Sequence, residues 1–315
     1  MDCLPGVNLP VFRGAVGYDL APNAFLGTGP REVDPMHVYR PLLEAREIGF
    51  QAVRVWLCER GEGILMDGAS ITGVSPVLIE SVAIIQECAS LCGLKIYWTL
   101  LDAQAGRADD HDWLSRAVLT ESDHAARFAE RVIAPLARRF DPGVTFAVEI
   151  VNEPDALIDA RRDAGGEQWR VLGAHIKMGV AAVHAEQPGA IVTTGVQRAA
   201  LPGLWHSGAG LTAVDVHVDA GAPLPSRSEL AVELGDPAIC HASLPVMAGR
   251  CAITSAGESD VHRTLARATR EAYAAVFFWR LEGELVDVAP GKRQATPLAD
   301  GVKAALGSAA RRSHP

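Results

Sequence analysis

The chain has 315 residues, 49% of them hydrophobic and 21% charged, which supplies a large buried core and excludes disordered, collagen-like and disulfide-scaffold proteins. Lys and Arg number 29 against 38 Asp and Glu, a formal net charge of -9, and no basic run exceeds two residues. That balance argues against a nucleic-acid or anionic-membrane surface and points to a small ligand.

The opening MDCLPGVNLPVFRG has neither a basic nor an apolar leader region, and no apolar stretch approaches the roughly 18 residues of a membrane helix. A soluble, cytoplasmic protein with no membrane partner is the expectation, and its six cysteines (Cys3, Cys58, Cys88, Cys92, Cys240 and Cys251) are expected to be reduced. Cys88 and Cys92, four apart in a helical pattern, read as buried thiols without a neighbouring His to complete a metal site.

Apolar, β-rich runs predict eight strands, at 12–18, 50–57, 94–101, 144–151, 190–196, 211–218, 244–253 and 274–281. Helical periodicity falls between them at 35–49, 75–93, 122–140, 167–187, 228–235, 258–273 and 298–312, with a weak segment near 198–208. Strict alternation without a linker predicts an α/β fold, a single (β/α)8 TIM barrel over 1–315 with short flexible ends. A doubly wound dinucleotide fold is the rival, but the segment AVGYDLAPNAFLG lacks its GxGxxG turn.

In a barrel of this kind, reactive groups project from the C-terminal strand ends. The polar residues there are Asp19 and Asn23, Arg54 with Glu59 and Glu62, Asp102, then Glu149, Asn152 and Glu153 on the fourth strand. Gln197, Arg198, His217, Asp219, Arg250, Trp279, Arg280 and Glu282 complete the set. The most informative stretch is VEIVNEPD, 148–155, where an apolar strand ends in Asn152-Glu153-Pro154 with Glu149 four residues earlier.

This stretch resembles the fourth strand of the clan A glycoside hydrolases, the cellulase-like retaining glycosidases. The resemblance implies that Glu153 is the general acid/base and that Asn152 contacts a sugar hydroxyl. Arg54 in AVRVW, His217 in DVHV and Trp279 in FFWRL resemble that family's residues on strands two, six and eight. A general acid must hold its proton near neutral pH, so burial of Glu153 is expected to raise its pKa. Trp279 is expected to floor the sugar site, whereas Trp56, Trp98, Trp113 and Trp205 are equally accounted for by core packing.

Two departures stand against the resemblance. Retaining glycosidases use a second carboxylate, about 5 Å from the first, as nucleophile. Aligning Pro245, Val246 and Gly249 with the family's seventh strand places Arg250 at that position, and the family's sixth-strand tyrosine becomes Asp219. Glu258, Asp219 or Asp102 as a relocated nucleophile, and an inverting mechanism with Glu59 as base, all remain open. The paired changes predict that Arg250 contacts Asp219 or Glu153. Three functions compete: a glycosidase with an altered second carboxylate, other acid/base chemistry on an intracellular metabolite, and a non-catalytic carbohydrate-binding pseudoenzyme. Glu149, Asn152, Arg54, His217, Asp219, Arg250 and Trp279 would then bind a sugar, a glycoside or an anionic small molecule. No metal or cofactor motif occurs: HEXXH, paired CxxC and GxSxG are absent, and ADDHDW (108–113) reads equally as a solvated loop with a helix cue or as a ligand set. Oligomeric state is not legible.

Overall fold

Side-chain alternation along short β-rich segments builds a ring of parallel strands. In the computed structural model, which describes all residues except 1–2, 13, 15, 26, 28, 31, 105–112, 160–162, 164–165, 242, 253–257, 282, 290–291 and 313–315, the first barrel strand is Leu4–Leu9. It pairs with the second, Ala52–Trp56, and the eighth, Ala275–Trp279. The third and fourth, Lys95–Thr99 and Thr145–Glu149, continue from the second, and the seventh and sixth, Val246–Ala252 and Val214–Val218, continue from the eighth. The fifth is split: Val192–Thr193 pairs with the fourth and Gly195–Gln197 with the sixth. The α/β barrel expected from the alternating pattern is thereby observed.

Outward residues such as Val53, Val55, Ile96, Trp98, Val148, Val214, Val216 and Phe278 pack under the surrounding helices in the main core. The helices include Pro35–Ile48, Pro76–Cys92, Glu167–Glu186, Glu258–Arg270 and Pro297–Arg312. The first two begin as their sequences dictate: Asp34 and Ser75 accept from the backbone N–H groups of Met36 and Val77, each with Pro in the first turn. Inward, Ala52, Ala147, Ala213, Met247, Ala275 and Phe277 fill the barrel floor with small residues and two large ones.

The expected first strand at 12–18 is wrong. Its described residues form bends and turns, and the strand is Leu4–Leu9, whose Pro5-Gly6 pair reads as a turn. Gly6 is there because a Cβ would lie 2.4 Å from the Phe277 ring, so only glycine lets that ring fill the floor. Two antiparallel hairpins also escaped the sequence pattern, Ile64–Asp67 with Ser70–Val74 and Val286–Ala289 with Lys292–Ala295. All six cysteines are free thiols. Among the described residues no helix is long and apolar enough to cross a membrane.

Candidate active site

Above the apolar floor the inward positions turn polar. Arg54, fully buried, donates from Nε and Nη2 to Glu149 Oε2 at 3.1 and 2.5 Å, from Nη1 to Asn8 Oδ1 at 2.8 Å and from Nη2 to Asn152 Oδ1 at 2.8 Å. Glu149 also accepts from Thr99 Oγ1 at 2.6 Å and from the Gly195 N–H at 2.9 Å. Tyr97 donates its hydroxyl to Asp215, which accepts from the Gly249 N–H at 2.6 Å. An unpaired charge here would cost several kcal/mol, and this mutual satisfaction removes that cost. Burial alone would lower the Arg54 pKa, but the Glu149 carboxylate more than offsets it and the guanidinium is held charged. Burial pushes Asp215 up from the usual carboxylate range.

Glu153 lies just past the fourth strand in a left-handed backbone conformation, φ 46° and ψ 52°, its N–H donating to Gly195 O at 2.8 Å. Such a conformation costs a non-glycine residue on the order of 1–3 kcal/mol and turns the side chain into the mouth, where it is 5% exposed. Its Oε1 accepts from His217 Nδ1 at 2.7 Å, Arg250 Nη1 at 3.1 Å and Gln197 Nε2 at 3.3 Å, and its Oε2 accepts from Gln104 Nε2 at 2.7 Å. Burial pushes the carboxyl up, but the His217 hydrogen bond and charge, with Gln104 and Arg250, outweigh it and bring the pKa to about 2. The expectation of a raised pKa is therefore corrected: the Arg250 contact that would lower it is present, and His217, Gln197 and Gln104 reach the same carboxyl.

Arg250 reaches Glu153 because the seventh strand carries a bulge. Met247 pairs with Asp215 and Arg250 with His217, so three steps on the seventh strand match two on the sixth, and the register against the eighth slips at the same place. Strict alternation from inward Met247 would point residue 250 outward. The bulge instead aims it into the mouth, its guanidinium carbon 5.6 Å from the Trp279 ring centre. Trp279 meets Trp56 edge-on at 6.2 Å.

The barrel therefore brings together Arg54, Glu149, Asn152, Glu153, His217, Arg250 and Trp279. Asp219 does not join them: it is exposed in the loop after strand six, and the acid facing Arg250 is Glu153. The bulge explains this, since it carries the guanidinium to the level of His217, below Asp219. Asp19 and Asn23 brace the first loop, accepting from Phe12 N at 2.6 Å and Phe25 N at 3.0 Å. Glu59 and Glu62 are buried there, and burial raises both pKa values, Glu62 to about 8. Asp102 accepts from Asn152 Nδ2 at 2.7 Å. Arg198 pairs with Glu233 at the surface, and Trp98 stacks on Phe140 in the outer core at 4.8 Å. Residues 108–112, Glu282 and the side chains of Trp113 and Glu258 lie outside the described residues. Sequence reasoning missed Asn8, Tyr97, Thr99, Gln104, Gly195 and Asp215; inward alternation with Arg54 and Glu149 would have flagged Tyr97, Thr99 and Asp215.

Glu149, Asp215 and His217 offer ligand atoms within 4.8 Å of one another. They do not suit a metal ion: the carboxylates already accept from Arg54, Thr99, Tyr97 and two backbone N–H groups, and the Arg54 charge sits against them.

No protein-family model and no curated protein matches the sequence. Solved structures do match in fold. The β-1,4-mannanase from the common sea hare Aplysia kurodai superposes with a TM-score of 0.71 at 12% identity, covering 98% of this chain and 92% of that one. The GH5_18 protein from Streptomyces cattleya, in complex with Manb1-4GlcNAc, gives 0.65 at 18% identity over 99% and 81%. A broad-specificity GH5-4 endoglucanase from an uncultured bacterium gives 0.64 at 15% identity over 98% and 94%. The fold is that of the clan A glycoside hydrolase barrels.

Proposed function

We propose that this chain is a carbohydrate-active barrel protein of the glycoside hydrolase type that holds a sugar at the mouth around Glu153 and does not form a covalent glycosyl-enzyme. The observation that carries the reading is the Arg250 Nη1 to Glu153 Oε1 contact of 3.1 Å. An arginine occupies the strand-seven position from which a carboxylate would attack the anomeric carbon, and a guanidinium has no lone pair to attack with. His217 first, then Gln104 and Arg250, outweigh burial and keep Glu153 ionised at neutral pH. In that state Glu153 serves as a base or as an acceptor for sugar hydroxyls, and it becomes a proton donor only after Arg250 and His217 withdraw. Trp279, half-buried beside Trp56, offers the flat apolar face a pyranose ring stacks on. The neighbours in fold include a β-1,4-mannanase and an endoglucanase, so β-1,4-linked oligosaccharides are the first ligands to test.

Mass spectrometry after incubation with 2-fluoro-mannosyl and 2-fluoro-glucosyl fluorides is expected to show no adduct, and a stoichiometric adduct would overturn the reading. Calorimetry against neutral and uronic β-1,4-oligosaccharides is expected to show binding that Trp279→Ala weakens at least tenfold. A second reading, inverting hydrolysis with Glu59 as acid and Glu153 as base, is favoured by one observation: Glu59 is buried and its carboxyl is held well above the usual range, first by desolvation and then by Asp102. Turnover that Glu59→Gln abolishes, with inverted product configuration by NMR, would establish it.

A further inference from the structure

We propose that the mouth selects a sugar bearing a carboxylate, such as a uronic acid residue, and that Arg250 reads that group. The inference rests on the sugar-binding reading above and specifies its ligand. Among the described residues Arg250 places one N–H on Glu153 and makes no other hydrogen bond, yet its side chain is only 28% exposed. A guanidinium carries five donors in a planar fork. Glu153 takes one of them, so the remaining edge has donors to offer at the level of the reacting centre, beside the Trp279 ring. The Glu153 carboxylate already accepts from His217, Gln197 and Arg250 on Oε1 and from Gln104 on Oε2.

The local charge points the same way. Arg280 follows Trp279 just past the eighth strand and is exposed, and burial pushes the nearby Glu284 carboxyl up against the lowering influence of Arg280 and Arg250. Among the described residues two arginines, Arg250 against the ring and Arg280 next in sequence, thus stand on the Trp279 side of the mouth. A neutral pyranose would leave the free guanidinium edge facing an uncharged ring. A carboxylate meets it with two parallel N–H to O bonds, the geometry that makes Arg a better carboxylate reader than Lys.

The test is calorimetry with β-1,4-linked mannuronate trisaccharide and with neutral mannotriose, at 50 and 300 mM NaCl. The wild type is expected to bind the uronate at least tenfold more tightly, with the difference shrinking at high salt. Arg250→Met is expected to remove the difference, and Arg250→Lys to keep only part of it. Because Arg250→Met also bares the Glu153 charge, Glu153→Gln supplies the control. It releases the guanidinium and should strengthen uronate binding further. Equal affinity for the two trisaccharides, a preference that survives Arg250→Met, or stronger binding of mannose 6-phosphate than of the uronate would overturn the carboxylate assignment. If neither trisaccharide binds in a Trp279-dependent way, the sugar-binding reading falls with it.

Discussion

Replacing Glu153 with Gln removes the charge on which four side-chain donors converge. The folded-state pKa of about 2 lies well below the ordinary value of 4.5, and at about 1.4 kcal/mol per pH unit the difference is worth at most about 3.5 kcal/mol, which solvent screening at the mouth brings to about 3 kcal/mol. The sign follows from proton uptake. Below pH 4.5 the unfolded chain takes up a proton at residue 153 while the folded chain does not, so this stability is complete above about pH 5. It declines as pH falls and is gone near pH 2. Urea unfolding is therefore expected to show Glu153→Gln about 3 kcal/mol less stable at pH 7, with the gap narrowing to about 1 kcal/mol at pH 3. The amide retains one acceptor oxygen, so the fold should persist and circular dichroism should be unchanged. A variant as stable as wild type at pH 7, or a gap of constant size down to pH 3, would refute the argument that Glu153 is an ion held by its neighbours.

Three further outcomes are expected. Gly195→Ala would put a Cβ 2.3 Å from His217 Nε2 and 2.9 Å from Glu149 Oε1, two buried groups with no room to retreat; thermal unfolding should register a loss of about 1–3 kcal/mol. Asp219→Ala, at an exposed position, should change stability by less than about 0.5 kcal/mol and leave sugar affinity unchanged, and a large effect would return Asp219 to the site. With Ellman's reagent at pH 8 the exposed Cys240 should react first in the native protein. Cys251, buried and with its thiol pushed up to about 12 by desolvation, should react only on unfolding.

Much of this barrel is local in origin and so could be read along the chain. Seven of the eight β-rich runs lie on barrel strands between amphipathic helices, because a strand buried on both faces and a helix with one apolar stripe each announce themselves by period. Asn152-Glu153-Pro154 at the end of the fourth run, and Arg54, His217, Arg250 and Trp279 at the ends of others, marked one mouth before any coordinates. What escaped depends on contacts between distant segments. The first strand was missed because the space that makes Gly6 necessary belongs to Phe277, 271 residues away. Gln104 was missed because a loop amide becomes part of the site only once the third strand's end stands beside the fourth. The inward aim of Arg250 follows from a bulge that alternation counts against, and the bulge is defined only by the neighbouring strands' register. The charge of Glu153 was the largest reversal. Burial, readable from an apolar context, says the proton stays; the donors from strands three, five, six and seven, assembled only when the ring closes, say it leaves, and four directed hydrogen bonds outweigh the lost hydration.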